Sequence, residues 1–295
     1  MISATRRSLG SFSLLPADEP RPPRATDGEV LTHERVGDLH RLIVGGPGIG
    51  AGSRPGQFAM VTIPTGRGQH TLPRPMALYA WEQDSITIVY RVAGVGTEDL
   101  ARISPGYRLT VVSPLGRPFA MPPQDGGVVL LGRGIGSCSL LALARQLASS
   151  GHQVTAVLSG RSTNAVVPRD DFAEAGCARV LVATDADGTS DLDLVEAALT
   201  KRLSAPPSAI YCCGASRFLD LAAALAQPGF TDIQVSIEAH MACGLGYCHG
   251  CATPLTRVEE APLVCRDGPC FRWYPRTLDR GGNLTRGGEH RLVEK

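Results

Sequence analysis

The chain has 295 residues, 19% charged and 43% hydrophobic, and a formal net charge of +1. That length holds two compact domains and a small third one. No basic stripe with interleaved aromatics suits nucleic acid, and no apolar run approaches the roughly eighteen residues of a membrane span.

In chain order, Thr5-Arg6-Arg7-Ser8-Leu9 faintly resembles a twin-arginine export signal. The apolar stretch after it stops at Pro16-Ala17-Asp18-Glu19-Pro20, so export is rejected and a cytoplasmic location is expected. Residues 1–26, rich in Pro, Arg and Asp, read as a mobile tail. From 27 to 122 the pattern is short strands and turns. Val30–Arg35 and Leu39–Val44 flank the turn dipeptide Gly37-Asp38, and Phe58–Ile63, Ser85–Arg91 and Arg108–Val112 follow, with one helix at Thr97–Ile103. Such spacing predicts a small antiparallel barrel.

From Gly126 the rhythm changes, and residues 123–237 read as a doubly wound parallel α/β domain. Short apolar strands at Val128–Leu131, Val154–Leu158, Val180–Ala183, Ile210–Cys213 and Ile233–Ile237 alternate with helices, among them Leu192–Leu199 and Arg217–Ala226. Residues 238–295 form the last unit, a small cluster domain with a loose tail marked by Gly281-Gly282 and Gly287-Gly288.

That last unit carries the sharpest signal. Cys243-x4-Cys248-x2-Cys251-x13-Cys265 matches the plant-type ligand spacing of a [2Fe–2S] cluster. Interleaved Gly244, Gly246 and Gly250 suit a loop that turns backbone N–H groups toward sulfur. Structural zinc would call for a second close cysteine pair, and Cys265-x4-Cys270 is not one. An odd count of nine cysteines in a chain this long argues against a disulfide framework. Cys270 and His249 are read as non-ligands, and Cys138, Cys177, Cys212 and Cys213 as small buried hydrophobes.

Two glycine-rich segments compete for phosphate. Gly45-Gly46-Pro47-Gly48-Ile49-Gly50 precedes no helix, which makes it a hairpin loop rather than an anion site. Gly132, Gly134, Ile135 and Gly136 lie between a strand and a helix, as a dinucleotide loop or as a plain tight turn. Arg74-Pro75-Met76-Ala77 and the segment Val89-Tyr90-Arg91 to Gly96-Thr97 fit a pyrophosphate clamp, and equally a β-turn and a helix cap.

Together these pieces resemble the FAD- and iron–sulfur-containing electron-transfer subunit of class 1B dihydroorotate dehydrogenase, a branch of the ferredoxin–NADP reductase-like flavoproteins. The resemblance spans roughly residues 29 to 272. Arg74–Ala77 is similar to the family's Arg-Pro-x-Ser flavin motif, Ser113-Pro114-Leu115-Gly116 to its Gly-Pro-Leu-Gly turn, and Cys265-Arg266-Asp267-Gly268-Pro269 to its closing Cys-x-Asp-Gly-Pro. It implies FAD at Arg74, Pro75, Met76, Ala77, Val89, Tyr90, Arg91, Gly96 and Thr97. It implies a nicotinamide donor, NADH or NADPH, at Gly132, Gly134, Ile135, Gly136, Cys213 and Gly214. The cluster would sit on Cys243, Cys248, Cys251 and Cys265.

The implied activity is oxidoreductase electron transport from NAD(P)H through FAD and the cluster to an FMN-containing catalytic subunit of pyrimidine biosynthesis, in a heterotetramer. A stand-alone ferredoxin-like reductase, or a partner subunit that keeps the cluster but no longer turns over nucleotide, are the rival readings. Ala77, Arg133 and Ser139 depart from the family at a serine, a glycine and a proline, all on the flavin–nicotinamide side.

Overall fold

A computed structural model describes residues 10–16, 22–63, 72–253 and 261–275, with the backbone of two short strands at 277–278 and 284–285. The twin-arginine-like segment and the glycine pairs of the C-terminal tail lie outside the described residues. Seven antiparallel strands make the first layer: β2 (Arg24–Val36), β3 (Leu39–Gly45), β4 (Phe58–Thr62), β5 (Arg74–Ala77), β6 (Ala80–Glu82), β7 (Ser85–Tyr90) and β8 (Arg108–Leu115), in the order β5-β4-β8-β2-β3-β7-β6. Period-two alternation builds it. Ala59 and Val61 of β4 point into a core with Val30, Val44, Ile88 and Val111, while Phe58 and Met60 face the other way. Its edge strands are not joined by a strand ladder. They meet through Leu78, which donates to Gln57, and Tyr79, which donates to Thr87.

The second layer has seven strands in the order β1-β14-β13-β12-β9-β10-β11, where β1 is Gly10–Leu14 and β14 is Cys270–Pro275. Its parallel part comprises β9 (Gly127–Arg133), β10 (Gln153–Gly160), β11 (Arg179–Thr184), β12 (Ala209–Cys213) and β13 (Asp232–Ser236). Helices α2 (Leu141–Ser149), α3 (Arg169–Glu174), α4 (Leu192–Thr200) and α5 (Arg217–Leu225) connect them. The glycine loop after β9 enters α2 through a 3₁₀ turn over Gly134–Leu140. Fully buried Tyr211, Phe172, Phe218 and Phe271 fill the two faces, each worth about 1.5–3 kcal/mol of apolar burial.

Three expectations are corrected. Residues 10–14, placed in a tail, form β1 (Gly10–Leu14), which pairs antiparallel with β14 (Cys270–Pro275). Trp273 covers the bare Gly10, and Arg117 holds the Leu15 carbonyl at 2.9 Å, so this stretch is anchored. β14 in turn pairs with β13, so the C-terminal segment completes the α/β sheet instead of standing apart. The Gly45–Gly50 loop is no hairpin loop. It links β3 to β4, which are not neighbours, and packs by backbone bonds on Gln83 and Asp84.

Candidate functional site

β5 carries Arg74-Pro75-Met76-Ala77 at the edge of the antiparallel sheet. Arg74 Nη1 donates to the Leu72 carbonyl at 2.6 Å, and its guanidinium lies flat against Gly96. A Cβ at Gly96 would come 2.0 Å from Arg74 Nε, so only glycine admits this approach. The two halves of the expected pyrophosphate clamp are thus side by side. Thr97 serves the local turn instead. Its N–H donates to the Gly94 carbonyl, and its hydroxyl accepts from the N–H groups of Ala93 and Gly94, which shapes the entry to α1 (Val95–Leu100).

Not every side chain expected here reaches the surface. Met76 points into the core of the antiparallel sheet. Tyr90 is buried at the end of β7 against His40, with its hydroxyl 2.9 Å from His33 Nε2. The other ring nitrogen, Nδ1, faces the Ile103 carbonyl at 2.8 Å. A carbonyl only accepts, so Nδ1 carries a proton, and Nε2 and the Tyr90 hydroxyl share the second bond. Burial pushes the Tyr90 phenol above its usual range.

Strand order reverses between β9 and β12, and that crevice is where open α/β sheets bind ligands. Gly132, Gly134, Ile135 and Gly136 line one side and Cys213-Gly214 the other. A Cβ on Gly136 would sit 2.6 Å from Gly214 Cα. Gly214, at φ +91°, would drive a Cβ to 2.2 Å from the Arg133 carbonyl oxygen. Bare backbone on both walls lets the two loops pack directly on each other, while a Cβ on Gly134, at φ +54°, would meet nothing within 4 Å. Arg133 does not fill that space: its guanidinium crosses β10 to Ser159 Oγ at 2.8 Å and Asp185 Oδ2 at 2.6 Å.

The cysteine loop follows β13. Cys243 Sγ accepts from the N–H groups of Leu245 and Cys248, both at 3.4 Å. Cys251 and Cys265 are buried with Sγ atoms 3.3 Å apart, and Cys265 Sγ takes the Gly246 N–H at 3.1 Å. Burial opposes ionisation of Cys243, yet the N–H groups of Cys248 and Leu245 outweigh it and hold the thiol down at about 6. Burial, and then the neighbouring Cys251 thiol, push Cys265 up to about 12. Among the described residues no three metal-ligating side chains converge as a single ion would need. The thiols form two pairs instead, Cys243 with Cys248 and Cys251 with Cys265, an arrangement that four-thiolate ligation of a two-iron cluster could use. Cys270 lies elsewhere, packed on the Gly56 carbonyl in the core on the opposite face of the sheet.

The loop rests on the antiparallel sheet. A Cβ at Gly244 would meet Met60 Cγ at 2.4 Å, and Met60 pairs across the ladder with Pro75. α6 (Val264–Asp267) and Pro269 close the arrangement: Arg117 N–H donates to the Gly268 carbonyl at 2.5 Å, and Gly116 packs on Pro269 and Phe58.

Comparison with known proteins agrees with this order of parts. The iron–sulfur cluster binding domain of dihydroorotate dehydrogenase B matches residues 238–274, and an electron transfer flavoprotein domain matches residues 136–228. The electron transfer subunit of dihydroorotate dehydrogenase B (NAD(+)) from Listeria monocytogenes is 31% identical over 253 residues, covering 84% of this chain and 96% of the relative. Its counterpart from Geobacillus kaustophilus is 35% identical over 228 residues, 74% of this chain and 85% of the relative. The chain belongs to this family of electron-transfer subunits. Its fold is that of an NADH-dependent reduced ferredoxin–NADP oxidoreductase chain, with TM-score 0.69 at 23% identity over 83% of this chain and 87% of that one. A ferredoxin reductase of carbazole 1,9a-dioxygenase superposes with TM-score 0.57 at 18% identity, covering 72% and 69%.

Within this family member, sequence reasoning missed two things. One is the Met60 platform, whose only signal was a strand apolar on both faces. The other is a polar bridge between the layers: Asp171 of α3 accepts from the Tyr79 hydroxyl and from Arg41 of β3, each at 2.5 Å. Tyr79 falls two residues past Ala77, the alternate position on the same edge.

Proposed function

We propose that the chain takes electrons from a nicotinamide nucleotide and passes them singly to a separate, FMN-containing catalytic subunit acting on dihydroorotate in pyrimidine biosynthesis. When bound, FAD converts two-electron into one-electron chemistry, and the cluster carries electrons one at a time. Arg74, seated on Gly96, provides the cation for the flavin pyrophosphate. Gly132, Gly136 and Gly214 let the two loops at the switch point close on each other, and Gly134 faces open space where a planar nicotinamide would approach. The N–H groups of Leu245, Gly246, Cys248 and Cys265 stabilise negative charge on the ligating sulfurs. Cys251 and Cys265 are shielded from water while Cys248 is exposed, which favours exit at Cys248.

The observation that carries this reading is the contact of Gly244 with Met60, the ladder partner of Pro75, because it sets the cluster loop directly behind the flavin motif. No helix of the described residues is long and apolar enough to cross a membrane. A cytoplasmic location is part of the proposal, supported by nine unpaired cysteines, four of which must stay reduced to ligate.

The test is anaerobic purification with the neighbouring flavoenzyme, followed by iron, sulfide and flavin analysis and reduction by nicotinamide nucleotide. One FAD, two irons and two sulfides per chain are expected, with loss of the cluster in Cys265→Ser but not in Cys270→Ser. Stoichiometric zinc without acid-labile sulfide sinks the cluster. A chain that stays alone and reduces acceptors at full rate favours the stand-alone reductase.

A further inference from the structure

We propose that the donor site selects the nucleotide bearing a 2′-phosphate, NADPH, over NADH; this rests on the donor-site reading above. In a sheet of this kind the pyrophosphate sits at the loop after the first strand, and the adenosine ribose reaches the end of the next. There a carboxylate accepts hydrogen bonds from the ribose diol, or an arginine meets the 2′-phosphate. The first strand here is β9 and the next is β10, which ends in Ser159-Gly160-Arg161 with no carboxylate before Asp170.

The carboxylate bound to this strand end is Asp185, just past β11, whose N–H donates to the Gly160 carbonyl, and each of its oxygens already accepts one hydrogen bond. Oδ2 accepts from Arg133, and Oδ1 from the Ser190 hydroxyl. Asp187 is folded onto Thr189, and Asp191 caps α4 through the N–H groups of Asp193 and Leu194. These two carboxylates thus serve their own turns.

Donors, by contrast, are in surplus. Arg217, at the start of α5, points Nη2 toward Asp185 at 3.9 Å, too long for a hydrogen bond. Its Nε and Nη2 are buried and find no hydrogen-bond partner among the described residues. Such orphaned guanidinium donors are costly unless an anion takes them. Arg161 is exposed at the β10 terminus, and its backbone carbonyl is tied to Ala186 beside Asp185. Arg133 and Arg217 thus both face Asp185, with Arg161 directly after β10 and the hydroxyls of Ser159 and Ser190 alongside. A dianionic phosphate accepts from several of these donors at once and with charge assistance, whereas a neutral diol meets them as a weak acceptor.

The experiment measures binding first. Calorimetry on the FAD- and cluster-loaded chain compares adenosine 2′,5′-bisphosphate with 5′-AMP, and anaerobic stopped-flow then compares NADPH with NADH. The bisphosphate is expected to bind at least about tenfold more tightly, the factor that one charge-assisted hydrogen bond contributes. Arg161→Ala and Arg217→Ala should each weaken the bisphosphate and leave 5′-AMP unchanged, with Arg217→Lys restoring part of the loss. Equal affinities, tighter 5′-AMP, or variants that weaken both ligands alike overturn the selectivity. Flavin reduced at lower NADH than NADPH does the same while leaving the donor site intact. Neither fragment binding and neither dinucleotide reducing the flavin overturns the donor site and the selectivity with it.

Discussion

At Gly96 a single hydrogen atom decides whether Arg74 can lie where it does. A Cβ would stand 2.0 Å from Nε and 2.2 Å from Nη2, so Gly96→Ala pushes the guanidinium off the loop. FAD should then bind about tenfold or more weakly, as for loss of an arginine–phosphate pair, with the fold intact by circular dichroism. Unchanged FAD affinity would remove Arg74 from the flavin site. Asp185 offers a second check at this scale. The hydrogen bond from Arg133, then that from Ser190, hold its carboxyl below the usual range. A depressed folded pKa means that the pair adds stability above the unfolded value of about 3.9 and loses it as pH falls through the folded one. Because Asp185 is exposed, the amount is small, below about 1 kcal/mol. Carboxyl NMR titration should find the Asp185 pKa raised in Arg133→Gly; no movement would break the pair's claim on that oxygen. Of these residues the four cysteines were legible from spacing alone, since thiolate chemistry admits few alternatives. Thr97 was not, because whether its N–H is free depends on where the Gly94 carbonyl turns.

Among the elements, those with local periodicity were readable and those defined by long-range pairing were not. The parallel strands of the α/β layer are continuous apolar runs, and five of them form close to where the sequence puts them. β1 and β14 gave no such signal. They pair with each other across more than 250 positions, Gly10 against Pro275, and only β14 has a second partner, β13. β5 was hidden by its Arg-Pro start, which reads equally as a turn; as an edge strand it tolerates proline. The short α3 was also missed, although it supplies Asp171. That bridge ties the flavin-side edge to the nucleotide layer, and its Tyr79 is buried against Asp171 and Arg41. Tyr79→Phe removes one donor to a partly buried carboxylate and should cost about 1–3 kcal/mol in urea unfolding. If the two layers unfold together in the native chain, the variant should begin to separate their transitions. A variant with unchanged stability would reduce the bridge to an incidental contact.

Across the whole molecule, segments far apart along the chain meet at β4. The Arg74–Ala77 strand pairs with it, the cysteine loop packs on its Met60 through Gly244, and the loop turns its far side to solvent. There Tyr247 is 90% exposed and Leu245 54%, on either side of Gly246 and next to the exposed Cys248. An isolated exposed apolar side chain needs no explanation, but two on the tip of a redox loop, in a family whose members serve a second subunit, have one. Aromatic anchors of this kind concentrate binding energy at interface centres. Tyr247→Glu should therefore weaken assembly with the catalytic subunit by about tenfold or more, an effect of about 1.4 kcal/mol or greater. The visible spectrum and the rate of flavin reduction by nucleotide should stay as they are, because Tyr247 touches neither crevice nor flavin strand. Analytical ultracentrifugation of the mixed subunits reads the first quantity, and stopped-flow on the isolated chain the second. Undiminished assembly in the variant would move the docking face away from the cluster loop, and with it the exit for electrons at Cys248.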